Sequence, residues 1–163
     1  MSDEAEKTSR DRAMDVVRGY ADHDAIAVQD ALAGLDAGSW IKVYAVLSGL
    51  LRSTISIMEL TGERWKLDHL VRHADEVAAA APPHYEFTVA EAARAWARGD
   101  QSALRTLSGR DLAGAVHMTA VFLAVLGLAL WGRDGFLDVL RAFHKTVTAL
   151  VNDQPLGIRP LDP

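Results

Sequence analysis

The chain predicts an all-α fold, a helical bundle of about six main helices. Three observations carry this. Apolar residues recur at intervals of three and four along most of the 163 residues, the spacing that lines one face of a helix. The composition is half hydrophobic, rich in Ala, Leu and Val, with only five prolines, which favours helix over strand. Most glycines stand singly where the periodic segments end, as helix stops do.

In chain order, residues 1–21 begin polar and acidic. A short amphipathic helix with Ala13, Val16, Val17 and Tyr20 on one side is expected there, after a frayed, partly mobile start. Asp22 or Asp24 is placed to cap a second helix whose apolar side is Ala25, Val28, Leu32 and Leu35. Residues 39–61 then show a broad apolar arc of Val43, Leu47, Leu50, Leu51, Ile55 and Met58, opposite Lys42, Gly49, Arg52, Ser56 and Glu59. Gly62 stops this helix. A surface helix follows, with Leu67, Leu70, Val71, Ala74, Val77 and Ala78 on its inner face.

Residues 82–87, PPHYEF, read as a linker between two halves, 22–81 and 88–152, of a single domain. Thr88 and Glu91 have the spacing of a capping box at the start of the next helix, and Gly99 ends it. Ser108 and Asp111 repeat that spacing before the most apolar stretch, 112–131 (LAGAVHMTAVFLAVLGLALW). After a GRDG turn, a last helix carries Phe136, Leu140, Phe143, Val147 and Leu150 on one side, and 153–163 form an irregular tail.

The stretch 112–131 has the length to cross a bilayer. It also carries His117, lacks a clear Lys/Arg asymmetry at its flanks, and sits among helices that each need an apolar partner. The buried centre of a bundle is therefore the favoured reading over a membrane span.

The two halves align at a constant offset of 70 residues: Leu60, Gly62, Leu67, Asp68 and Leu70 fall on Leu130, Gly132, Leu137, Asp138 and Leu140. Either two pseudo-symmetric three-helix repeats surround the apolar helix, or Leu- and Ala-rich helices align by chance.

No residue pattern names a reaction. A P-loop, a dinucleotide fingerprint, a nucleophile elbow and a zincin motif are all missing, and there is no cysteine to form disulfides or thiolate sites. The net charge of −5 and the lack of a basic stripe argue against a nucleic-acid partner. The N-terminus lacks the charge and apolar pattern of a secretory signal, so a cytoplasmic location is expected. The excess of Arg over Lys, with abundant Ala, is the bias of a bacterial chain.

Two histidine sets are candidates for chemistry. His69 and His73, four residues apart, put two imidazoles on one helix face and could chelate a divalent metal, with Glu59 and Glu76 as further ligands; a solvated polar edge is the preferred alternative, and no cofactor is expected. His117 and His144 could form a buried polar site active in proton transfer, or be core residues bonded to backbone or to Thr119 or Thr148. The four tryptophans lie near helix ends as core anchors. The expected function is that of a non-catalytic interaction or regulatory protein, a homodimer or partner of another protein through leftover apolar surface at Val121, Leu128 and Trp131. The alternative is a metal- or small-ligand-binding sensor or enzyme using the buried histidines.

Overall fold

One long apolar helix organises the bundle, and among the described residues four of the five other helices pack directly against it. The computed structural model describes residues 2–61, 67–100, 102 and 111–153, the side chains of 2–8, 61, 67–72, 97, 144 and 146–153 excepted. Among the described residues there are six helices and no strand: α1 (Ser2–Ala21), α2 (Ala25–Leu32), α3 (Ala37–Thr61), α4 (Leu67–Ala78), α5 (Pro83–Ala97) and α6 (Leu112–Asp153). Helix α6 packs against α1, α3, α4 and α5, with α3 making its most extensive contact; α2 is held by α1.

The first arm of α6, 112–131, fills the centre. Val116, Ala120, Val121, Leu123, Ala124, Val125 and Leu126 are all at most 1% exposed. Such a surface leaves water only if neighbours cover it on all sides, and the amphipathic faces of α1, α3, α4 and α5 do so. Val43, Leu47 and Leu50 of α3 and Ala74, Val77 and Ala78 of α4 lie in the core as their periodicity predicts. The expected positions Leu67, Leu70, Val71, Val147 and Leu150 fall outside the described side chains.

Three boundaries differ from the sequence expectation. The N-terminal segment is a 20-residue helix, not a short one, and Ala13, Val16, Val17 and Tyr20 are fully buried. Tertiary packing of this face sustains a helix whose charged start gives little local support. PPHYEF is not a linker, because α5 begins at Pro83 and contains His84 to Phe87. A proline at the first helical position gives up an amide that has no intrahelical acceptor anyway, and its φ already suits the helix. Pro82 O instead accepts from Tyr85 N and Glu86 N. Thr88 and Glu91 therefore lie inside α5, where Glu91 bonds Arg94, which also reaches Asp75 of α4 at 3.0 Å. Finally, Asp111 itself caps α6, accepting from Gly114 N; Ser108 lies outside the described residues.

The segment DHD, 22–24, is a structural corner. Asp22 takes both Nε and NH2 of Arg133, at 2.8 and 2.7 Å. His23, at φ 55°, places Nδ1 3.1 Å from Glu76 O, and Asp24 caps α2 by accepting from Ala27 N.

Helix α6 breaks at Gly132, whose φ of 70° and ψ of 175° interrupt the helical path. The chain folds back far enough for the Phe136 ring to lie over Gly127, where an added Cβ would sit 2.1 Å from a ring carbon. Trp131 stacks on Phe136 at 6.2 Å. Gly62, the aligned counterpart of Gly132, lies outside the described residues.

These glycines differ in what they permit, so alanine substitutions should separate. Gly127→Ala meets the buried Phe136 ring and should lose about 1–3 kcal/mol of stability through overpacking. Gly132→Ala meets no atom, and should lose about 1–3 kcal/mol through backbone strain alone. Gly49→Ala, mid-helix with open space, should gain up to about 1 kcal/mol. Urea unfolding at pH 7 measures all three.

Candidate functional site

Two features stand out: a polar cluster sealed inside the bundle and a groove on its outside.

The cluster is built on His117, the one strongly polar side chain in the buried part of α6, 4% exposed. Its Nδ1 lies 2.7 Å from the hydroxyl of Tyr20, a fully buried residue of α1. The Tyr85 ring stacks on the imidazole at a centroid distance of 5.1 Å and an interplanar angle of 30°. The Tyr85 hydroxyl donates to Asp111 Oδ2 at 3.5 Å, so the cap of α6 and the stacked ring support each other. Desolvation, against which the Asp111 carboxylate works, holds His117 down at about 4 from its ordinary 6.5. Burial likewise pushes Tyr20 well above the usual phenol range, and burial followed by the Asp111 charge raises Tyr85.

At neutral pH the pair is thus a neutral imidazole and a neutral phenol sharing one hydrogen bond. This pairs the imidazole Nδ1 with the phenol inside an apolar core, where leaving either group unpaired would cost about 1–3 kcal/mol. The partner of His117 is Tyr20, which the sequence does not single out because the two lie 97 positions apart. Thr119, an expected partner, donates instead to Ala115 O of its own helix at 2.7 Å. The side chain of His144 and Thr148 lie outside the described side chains.

His73 is half-buried on α4, and the side chain of His69 lies outside the described ones. Among the described residues no three His, Asp or Glu side chains come together where a metal could sit.

Of the three expected interface residues, Val121 is a correction. It is fully buried, because the first arm of α6 is enclosed on every side at that depth. Leu128 and Trp131 are half-buried against the core. Among the described residues the large apolar side chains left in water are Ile26 (71% exposed) on α2, Phe87 (77%) on α5, Leu112 at the start of α6, and a group of four on α3: Ile41 (59%), Tyr44, Ile57 and Leu60 (86%).

A groove of about 470 Å³ runs between α3 and the first arm of α6, with Tyr44, Leu51 and Ile55 on one wall and Ala115, Met118 and Phe122 on the other. Phe122 is stacked on Trp96 of α5 at 5.0 Å, so the α6 wall is fixed by a third helix. Arg52, Ser56 and Glu59 add polar groups to the α3 wall. A smaller groove of about 190 Å³ lies among Arg10, Met14, Val46, Gly49, Leu50 and Phe143. Neither is lined by His117.

Two helical stretches are long and apolar enough to cross a membrane, Ala37–Leu60 and Leu112–Phe143. In the second, 67% of the most apolar window is buried inside the protein, against 22% in the first. No family model matches the chain, and neither a curated protein nor a solved structure matches it.

The His117 environment sets a pH dependence. The unfolded chain takes a proton near pH 6.5, whereas the folded one resists until about 4. Its contribution is therefore complete above pH 6.5 and is lost as pH falls to 4, by about 3 kcal/mol in all. Urea midpoints across this window should fall more steeply for the native chain than for His117→Asn, which cannot protonate there. At pH 7, Tyr20→Phe should lose about 1–2 kcal/mol by orphaning the buried imidazole nitrogen.

Proposed function

We propose that the chain is a non-catalytic interaction or regulatory protein of the bacterial cytoplasm that takes a protein partner in the groove between α3 and the first arm of α6. The observation that carries this reading is the incomplete burial of α3. A helix of 25 residues, apolar enough to need cover, has only one side covered by α1 and α6 and leaves Ile41, Tyr44, Ile57 and Leu60 in water. Tyr44 lies on the groove wall with Leu51 and Ile55, facing Met118 and Phe122, and an apolar patch of this kind is the usual mark of an interaction site.

The groove beside it has the features a bound helix or strand needs. Its α6 wall is largely apolar and is fixed by the stacking of Phe122 on Trp96, and its charged groups sit along the α3 wall where they could set orientation. The alternative reading, a sensor or enzyme built on buried histidines, would need an opening onto His117. Neither groove among the described residues reaches it, and the hydrogen bond to Tyr20 gives that histidine a structural task.

Binding of the apolar dye 8-anilinonaphthalene-1-sulfonate to dilute, folded protein tests the reading. Saturable binding that is largely abolished by Tyr44→Lys and by Ser48→Arg, with helix content unchanged, is the expected result. Dye binding that ignores both changes, or none at all in a monomer, would remove the groove as the site. Flotation of the protein with phosphatidylglycerol vesicles, independent of those residues, would turn the α3 face over to a lipid surface.

A further inference from the structure

Resting on the groove reading above, we infer that the occupant of the α3 face is a second copy of this chain, laid antiparallel, with the twofold axis passing between Ile55 and Ser56. The argument starts from the charges. The groove is lined by two ionisable side chains, Arg52 and Glu59, both on α3 and seven residues apart. Two helical turns bring a side chain back to nearly the same face, so one stripe carries a cation and an anion about 10 Å apart along the axis. Among the described residues neither makes an ion pair within its own chain, although Arg94, Arg133 and Arg141 all do.

A lipid surface fits this stripe poorly, since it would bring both charges toward hydrocarbon midway along an otherwise apolar face. A protein surface fits if it presents an anion and a cation at the same spacing in the opposite order. The chain itself does so. Positions 52 and 59 are equidistant from the midpoint between 55 and 56, so turning one α3 end for end sets Arg52 against Glu59 of the copy, and Glu59 against its Arg52. A parallel arrangement would set like charges together.

The same register pairs the apolar residues. Leu51 and Ile55 lie on the groove wall beside the stripe and come to the seam in both copies. Ile55 and Ser56 flank the axis, each near its own counterpart, and the small Ser56 lets the helices approach. An isologous contact of this sort closes on itself and gives a dimer, not a filament. The ion pairs, at the rim of an apolar contact, set register and orientation.

Analytical ultracentrifugation of the full chain over a wide concentration range tests this. The native protein should be a dimer. Arg52→Glu and Glu59→Arg, each of which opposes like charges at two places, should each weaken association by about tenfold or more. The double exchange R52E/E59R should restore it, and so should an equimolar mixture of the two single variants, in which every facing pair is again opposite in sign. Because the native chain has no cysteine, Ser56→Cys gives an independent measure. It should oxidise to a disulfide-linked dimer, whereas Asp134→Cys, 95% exposed and off the face, should not. A dimer indifferent to both charge changes, with no Ser56→Cys cross-link, would mean that the copies meet elsewhere and overturns the inference. A native monomer at all concentrations also overturns it. If that monomer still binds the dye in the groove, the interaction reading survives with another partner; if it does not, both readings fall together.

Discussion

Enclosure of the apolar stretch 112–131 is the constraint on which the remaining structure depends. A helix without a polar face cannot rest on a core; it has to be the core, and each neighbour must lend it an apolar side. Helices α1, α3, α4 and α5 meet this need, and their buried residues form one core cluster with those of α6. The connection at 79–82, the corner at 22–24 and the cap at Asp111 turn the chain so that these sides face inward.

Placing one histidine in such a helix has consequences of its own. His117 cannot be hydrated at 4% exposure, and it cannot carry a charge there without a large desolvation penalty. Tyr20 resolves this by offering a hydroxyl from α1, which ties the N-terminal helix to the central one through a polar contact in addition to the apolar one. Tyr85 covers the ring face from α5. Three helices thus converge on one imidazole, a more specific arrangement than apolar packing provides.

The covering of α6 leaves α3 with surplus apolar surface. Its inner residues Val43, Leu47 and Leu50 are committed to the core, yet the helix has large apolar residues on other sides as well. Among the described residues no further element covers them. The groove, the exposed Leu60 and the Arg52–Glu59 stripe are all consequences of that imbalance, and they are why the interaction reading rests on α3 and not on α6.

Much of the architecture was legible from local pattern. The helical class, the buried role of 112–131, the inward residues Val28 and Leu32 of α2, Val43, Leu47 and Leu50 of α3 and Ala74, Val77 and Ala78 of α4, and the stop at Gly99 follow from periodicity and from the left-handed backbone that glycine adopts without penalty. The start of α5 was misplaced because proline ends a helix and begins one equally well, and only the surrounding backbone shows which. The Tyr20–His117 contact, the Asp22–Arg133 pair and the fold-back of Phe136 onto Gly127 were not legible, since each joins residues by the path of the chain and not by spacing. The assignment of Val121 to an interface failed for a related reason: a uniformly apolar helix does not reveal which side its neighbours leave open. The sequence by itself determined which segments are helical and which faces are apolar, because those depend on side chains a few positions apart. Tertiary structure alone decided which apolar faces are enclosed and which, on α3, remain in water, because that depends on how many helices are present to cover them.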